Sequence, residues 1–433
     1  MKRLPRLLVV SNNCFSRTNS NGRILSELLM DYSKSDLAQF FIKKDDPDFS
    51  VCENYYLVTD TEVLNSIKGK PCGRVLSDQD NTGDKKPDIN PSGHTKSKGV
   101  CARIARNWVW KFGRWNNEGL KKWIDSFDPE CVLLQSGDSV FMLKFAYSIS
   151  IERGIPLIIF NSEDYYFKKL NYLGGGLISD FVYKFYIANY RRHFDKIINR
   201  ATHSVYICGS LKELYDEKYR RPSSVIMSST DIIADLPLRD RLNQPPRFSY
   251  LGNLGLKRHE ALIEVAEALN SINNNFRLDV YGKTSNSESI DALNGCRAIN
   301  YHGFVSYDEV KTVMKSSDFL FHAECFDENI IRDIRNGFST KIADSLACGV
   351  CFVFYGDKSI EGAKYLKSND CACVITDKSM LRYELEHIIN DGELRLRYIS
   401  NALKVVEKNH RADKNRQKME SIICESITDQ LCF

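Results

Sequence analysis

Residues 336–349 read NGFSTKIADSLACG and carry a hydroxyl pair, Ser339 and Thr340, followed at once by Lys341. Ile342, Leu346 and Ala347 fall on one side of a helical pattern that starts there. Gly349 is a natural stop, and residues 350–355 form the kind of apolar run a buried parallel strand shows. Hydroxyls, an ammonium and the backbone N–H groups of a helix start all favour an anion at the same place. Asp344, one turn further in, is positioned to reach a ribose hydroxyl on the same ligand. The chemistry predicted is a grip on a nucleoside diphosphate.

Such a grip needs a parallel sheet to carry it, and the chain repeats strand, loop and helix from its start. Residues 7–10 form an opening strand, a polar loop follows, and Gly22 precedes a helix with Ile24, Leu25, Leu28 and Leu29 as its apolar positions. This is the first unit of a Rossmann-like half. It lacks G-x-G-x-x-G, so its loop is expected to serve a sugar or acceptor. Residues 132–134 and 157–160 are buried strands with polar tails, Gln135-Ser136-Gly137-Asp138 and Asn161-Ser162-Glu163-Asp164. Open parallel sheets bind ligands at the carboxyl ends of their strands, so Asp138, Glu163 and Asp164 are expected to face one cleft and orient an acceptor.

The second half restarts the pattern. A strand at 248–251 runs into Gly252-Asn253-Leu254-Gly255-Leu256-Lys257-Arg258 and a helix. Strands follow at 277–281, at 299–302 ahead of Gly303-Phe304-Val305, and at 319–322, ending on His322. The acids Glu324, Asp327 and Glu328 read as a loop that touches the donor sugar or binds a cation, or as an exposed loop that does neither. The expected organisation is a first domain over residues 1–231, a second over 247–408, and a helix over 409–433 returning to the first. Residues 66–100, rich in Pro, Gly, Lys, Asp and Ser without apolar period, are expected as a mobile surface insertion.

Composition narrows the classes. A chain of 433 residues is too long for one ordinary core, and a net charge of +4 is too weak to make nucleic acid the principal ligand. No stretch approaches the roughly 20 apolar residues that span a bilayer. The apolar run LLVV at the N-terminus is too short for a secretion signal, so the 14 cysteines are expected as reduced thiols in the cytoplasm. Cys348 and Cys351 form a C-x-x-C with Cys371 and Cys373 downstream, but it straddles a helix stop and a buried strand, which favours core over metal. All four tryptophans, Trp108, Trp110, Trp115 and Trp123, lie with Phe112 among Arg103, Arg106, Lys111, Arg114, Lys121 and Lys122. Indoles interleaved with cations suit an anionic membrane surface, so residues 103–123 are expected there; the alternative is aromatics packed on their own domain.

The motifs YLGNLGLKR at 250–258, YHGFVSYDEV at 301–310 and FSTKIADSLACG at 338–349 resemble those of retaining glycosyltransferases of the GT-B architecture, of the family four type. VVSNN with NGR near the N-terminus and IPLIIFNSEDYYF at 155–167 are similar to a subgroup that makes capsule, O-antigen or exopolysaccharide. The resemblance implies an α/β protein of two Rossmann-like domains facing across a cleft. It implies transfer, with retention, of a hexosyl-type sugar from a nucleotide sugar to a lipid-linked glycan acceptor, with no metal or other cofactor. A peripheral position at the cytoplasmic membrane face follows. The family's paired glutamates, seven residues apart, fall on Asn336 and Asp344. Catalytic work is then expected of Arg258 and Lys341. Donor binding is expected of Gly22, Asn253, Lys257, Phe304, Ser339, Thr340 and Asp344, the backbone at 304 and 305 facing the base. Because Asn336 departs from the signature, a catalytically inactive nucleotide- or glycan-binding subunit is the alternative. A GT-B epimerase or phosphorylase is the rival enzyme.

Overall fold

The computed structural model describes residues 3–16, 20–78, 99–168, 171, 173, 176–235, 238 and 241–431. The chain divides into two compact units, one of residues 1–227 with 413–433 and the other of residues 228–412.

Eight strands form the sheet of the first unit among the described residues: β1 Leu7–Val10, β2 Leu37–Phe41, β3 Asn54–Leu57, β4 Arg74–Leu76, β5 Cys131–Gln135, β6 Leu157–Asn161, β7 His203–Tyr206 and β8 Ser223–Val225. Their order is β4-β3-β2-β1-β5-β6-β7-β8. Every residue of β1, β2, β5 and β6 is buried, which is why those strands read as continuous apolar runs and not as alternations. All neighbours run parallel except β3 and β4. β4 corrects the expectation of a patternless insertion over 66–100. Gly73, at φ +80°, turns the chain so that Tyr56 lies where a Cβ would stand, 2.7 Å away, and β4 pairs back on β3. Residues 79–98, the rest of that expected insertion, lie outside the described residues. Helix Ala412–Leu431 lies along β8, with Asn415 Nδ2 donating to the Met227 carbonyl at 2.9 Å and Lys418 Nζ to that of Val225 at 2.9 Å.

The tryptophan-rich stretch is two helices, Val100–Phe112 and Glu118–Phe127, broken at Gly113. Trp110, Trp115 and Trp123 are buried in the unit's own core, so most of the aromatic signal expected at a membrane is internal packing. Trp110 stacks on Phe141 with ring centroids 3.9 Å apart, and its indole N–H donates to Asp60 at 2.6 Å. Arg106 pairs with Asp60, and Arg103 with Asp138. Trp108 and Phe112 remain exposed.

The second unit carries β9 Phe248–Leu251, β10 Leu278–Tyr281, β11 Ile299–Gly303, β12 Phe319–Ala323, β13 Cys351–Tyr355 and β14 Cys373–Ile375, in the order β11-β10-β9-β12-β13-β14 and parallel throughout. Phe248 and Tyr250 of β9 join Phe321 of β12, Val353 of β13 and the inward side of helix Arg258–Ile272 (Leu262, Val265, Leu269) in one core. The segment leading into β9 is anchored: the buried Asp318 carboxylate accepts from the Asn243 and Arg247 backbone N–H groups at 3.2 and 2.7 Å. Among the described residues no helix is long and apolar enough to cross a membrane.

Candidate functional site

In each sheet the strand order reverses direction once, between β1 and β5 in the first and between β9 and β12 in the second. Helices leave to opposite faces on either side of such a point, so the loops at the strands' carboxyl ends part and leave a crevice.

In the second unit the loops after β9, β10 and β11 are laced into a shelf. Gly252 N–H donates to the Tyr281 carbonyl at 2.8 Å, Leu254 N–H to that of Lys283 at 3.3 Å, and Gly282 N–H to that of Gly303 at 2.7 Å. A Cβ on Gly282 would stand 1.9 Å from the Gly252 carbonyl oxygen, so only glycine lets the two loops approach. The shelf continues through Asn253, whose side chain accepts from the Gly255 N–H at 2.7 Å. Leu256 and Lys257 then sit at φ +59° and +55°, left-handed geometry that costs a non-glycine residue about 1–2 kcal/mol each. This turn delivers Arg258 as the first residue of its helix and Lys257 to an ion pair with Asp327 at 2.9 Å.

Arg258 reaches across the switch point to Glu324, just past the end of β12. Its Nε and terminal NH2 group donate to the two carboxylate oxygens at 2.9 and 2.7 Å, a forked pair. Glu324 is buried and also accepts from His322 Nε2 at 3.0 Å. Burial opposes the charge of Glu324, but the His322 hydrogen bond and the Arg258 guanidinium hold its carboxyl at about 2. Burial keeps His322 below its ordinary value, so the neutral ring donates that bond. Glu324 was expected as a loop acid; the structure makes it the carboxylate that faces Arg258. Asn336, where the paired-glutamate signature falls by spacing, comes after helix Glu328–Ile334, which lies between Glu324 and Lys341.

Lys341 opens the short helix Lys341–Ala347. Its Nζ lies 2.8 Å from where a Cβ of Gly252 would be, beside the Tyr250 hydroxyl at 2.7 Å from the same point. The ammonium therefore rests on the bare backbone of the β9 loop. Burial and the neighbouring Arg258 charge lower its pKa to about 8, against partial support from Glu324 and from Asp344 one turn along. Thr340 precedes the helix in αR geometry, and its hydroxyl makes no capping bond to it; Ser339 contributes its carbonyl to the Ile342 N–H at 3.1 Å. Phe304, 70% exposed beyond β11, has Lys283 Nζ 4.8 Å from its ring centroid. The structure thus gathers Asn253, Arg258 and Lys341 at one switch point. Phe304 stands further along the same shelf. Tyr250 and Lys283 were not singled out from sequence, and Glu324 was named only as a loop acid with the donor sugar, a cation or solvent as its partner. The position of Glu324 directly past an apolar run was the available signal, the same one that marked Asn253. Gly22 is in the first unit, inside helix Ser20–Leu28, where a Cβ would strike the Cys14 carbonyl at 2.2 Å, which gives it a packing role.

The first unit's switch point brings Asn12 against Gly137, where a Cβ would lie 2.7 Å from Asn12 Nδ2. Asp138 follows, buried, paired with Arg103 at 3.2 Å and accepting at its carbonyl from the Tyr186 hydroxyl at 3.1 Å. Glu163 is exposed and accepts from the Tyr165 hydroxyl at 2.5 Å. Asp164 is engaged structurally, by the Phe167 N–H at 2.9 Å and the Tyr215 hydroxyl at 3.2 Å. Burial first, then the charges of Glu163 and Asp138, raises the Tyr165 hydroxyl; burial first, then the charges of Asp138 and Asp164 against a hydrogen bond with Ser136, raises that of Tyr190. The three acids therefore share one neighbourhood. Cys348 and Cys351 are buried thiols pushed up by burial, and no cluster of metal-ligating side chains occurs among the described residues.

Residues 239–405 match the family described as glycosyl transferases group 1. No curated protein matches the sequence significantly. Among solved structures, HepE from Anabaena in complex with UDP superimposes with a TM-score of 0.63 at 11% identity, covering 97% of this chain and 100% of that one. Sucrose-phosphate synthase from Thermosynechococcus elongatus gives 0.60 at 11% identity over 98% and 100%. OtsA in its apo form gives 0.58 at 11% over 96% and 99%. The chain has the GT-B fold of two Rossmann-like units, and its second unit, with the switch point just described, carries the similarity to the group 1 glycosyl transferases.

Proposed function

We propose that this protein is a glycosyltransferase whose second unit binds a nucleotide sugar at the β9/β12 switch point. The observation that carries the reading is Lys341, seated on the Gly252 backbone with the Arg258–Glu324 pair beside it. Transfer breaks the bond between the anomeric carbon and the diphosphate, leaving negative charge on the departing phosphate. Lys341 and Arg258 stabilise that charge, and removing one such group costs about 10²–10³ in rate if oxyanion-site values transfer. Protein cations take the part a metal plays elsewhere, so activity should survive a chelator. Asp344 holds the ribose, and the base lies along the shelf toward Phe304. HepE, a structural neighbour, is known in complex with UDP-glucose, which makes that donor the first to try.

The finer reading is retention. The acceptor hydroxyl attacks from the side the phosphate leaves, and that phosphate takes the hydroxyl proton. Asp138 and Glu163 orient the acceptor, a lipid-linked glycan of surface polysaccharide synthesis, and the protein works peripherally at the cytoplasmic membrane face. Release of UDP from UDP-glucose, measured with and without glycan acceptors in wild type and Lys341→Ala, tests the core of this. Turnover in the wild type, with a loss of at least about a hundredfold in the variant, is expected. Tight nucleotide binding without turnover for any donor would leave the inactive binding subunit instead.

A further inference from the structure

Helix Leu177–Arg200 packs beside helix Val100–Phe112 in the first unit, and the outward sides of both are apolar where a surface helix is ordinarily polar. On the first, Leu177, Ile178, Phe181 and Phe185 are all more than half exposed, Leu177 at 92%. Their spacing sets them along one stripe of the helix. On the second, Trp108 and Phe112 stand exposed one turn apart, with ring centroids at 5.5 Å. The inward sides behave normally: Tyr183, Tyr186, Ile187 and Trp110 are buried. Single exposed apolar residues need no explanation, but six on two adjacent helices mark a surface that something covers.

We infer that this face of the first unit docks on the interface of an anionic lipid bilayer. The charges on it select that occupant. Lys111 Nζ lies 5.4 Å from the Trp108 ring centroid and 5.3 Å from that of Phe112, and exposed Lys184 stands between Phe181 and Phe185. Asp180 is the acid among these exposed positions, and it accepts from Asn171 Nδ2 at 3.0 Å. Aromatic rings with ammonium groups beside them match the boundary between acyl chains and phosphate headgroups, rings on the apolar side and cations among the phosphates. A second copy of the chain fits less well, because a contact between two such faces would bring Lys111 and Lys184 of both copies into one desolvated patch with Asp180 as the acid to answer them. The surface differs from the one expected from sequence. Three of the four tryptophans are internal, and the stripe on helix Leu177–Arg200 does most of the covering. The inference rests on the proposal that the acceptor is lipid-borne, and it supplies the part of the molecule that would meet the lipid.

Flotation of the full chain with vesicles tests it, using phosphatidylcholine alone or mixed with phosphatidylglycerol and neither donor nor acceptor present. The wild type should float with the anionic vesicles, detach as salt rises, and show a blue shift of tryptophan emission as Trp108, the exposed indole, leaves water. Phe181→Ser combined with Phe185→Ser should weaken vesicle binding by about tenfold or more while leaving the melting temperature unchanged. Lys111→Glu combined with Lys184→Glu should abolish the preference for phosphatidylglycerol. A wild type that stays unbound on anionic vesicles would overturn the inference, as would a Phe181→Ser/Phe185→Ser variant that floats equally well. A lipid-independent dimer lost in that variant would make the face a contact between copies and also overturn it. Vesicle binding without transfer to any lipid-linked acceptor would keep the surface and sink the acceptor proposal; transfer without vesicle binding would do the reverse.

Discussion

Replacing Lys341 by methionine should stabilise the ligand-free protein and remove its response to a nucleotide. The ammonium is held at about 8, against 10.5 for an ordinary lysine, first by burial and then by Arg258. One unit of pKa corresponds to about 1.36 kcal/mol, so the folded state carries up to roughly 3 kcal/mol of unfavourable charge at neutral pH. Between pH 8 and 10.5 the unfolded chain keeps this proton and the folded chain has lost it, so the Lys341 contribution makes stability rise with pH across that window. Below pH 8 the penalty is fully present. Methionine keeps the stem and drops the charge, and each kcal/mol recovered raises the melting temperature by about 2–4 °C. A diphosphate reverses the balance by giving Lys341 a counter-ion and raising its pKa. UDP binding at pH 9 should therefore take up a proton in the wild type and none in the variant. Thermal melts with and without UDP, at pH 7 and pH 9, measure the first effect. Calorimetry in two buffers of different ionisation enthalpy measures the second. A Lys341→Met protein that melts below the wild type and still responds to UDP would refute the reasoning, leaving Lys341 as a structural lysine.

Arg258→Met leaves Glu324 buried without its guanidinium, which should cost about 3–5 kcal/mol in urea unfolding, while Arg258→Met with Glu324→Met should recover most of that; losses that simply add would show that the two groups do not depend on each other. Gly282→Ala drives a methyl toward the Gly252 carbonyl, 1.9 Å from the ideal Cβ, and should lower stability and nucleotide affinity together. Gly295→Ala, with open space around the same atom, should change neither, and equal behaviour of the two would contradict the shelf. His410 is buried, donating from Nδ1 to the Ser228 carbonyl at 2.8 Å and accepting from the Tyr365 hydroxyl at 2.8 Å, and burial lowers it to about 4. The unfolded chain protonates this ring first on acidification, so stability should fall by roughly 3 kcal/mol as pH drops from 6.5 to 4. His410→Gln should flatten that part of the profile, measured by denaturant melts across the range; an unchanged slope would remove His410 as its cause.

Strands were legible because two-sided burial writes itself as an uninterrupted apolar run: 350–355 became β13 and 319–322 became β12. The helix starting at Lys341 was legible from its stop, since Gly349 takes φ +70° as a glycine past a helix end does. The role of Glu324 was not legible. Its burial depends on Arg258, 66 residues away in sequence, and no local pattern separates an acid that meets such a partner from one that meets water. The paired-glutamate spacing marks Asn336 and Asp344, and helix Glu328–Ile334 separates both from Glu324, so that spacing carries no signal for the partner of Arg258. The tryptophans misled because period alone does not say which side of a helix finds a neighbour; Trp110 found Phe141 and Asp60, and Trp108 found solvent.

The two switch points share a topology and carry opposite chemistry. At β9/β12 the buried carboxylate of Glu324 is answered by Arg258, and Lys341 is left as a cation with only partial support, a charge state that favours an anion. Near β1/β5 an arginine again answers a buried carboxylate, Arg103 on Asp138, but the groups beside that pair are acids, Glu163 and Asp164 after β6, which face tyrosine hydroxyls. Carboxylates accept hydrogen bonds and repel phosphate, so such a site suits the hydroxyls of a sugar and disfavours a second nucleotide. Exchanging the signs would test this division of labour. Glu163→Lys should leave UDP affinity intact, since it alters only the first unit, and should lower turnover with a glycan acceptor while sparing slow hydrolysis of the donor. A variant that loses UDP binding would place Glu163 with the donor, and one that transfers normally would take it out of the reaction.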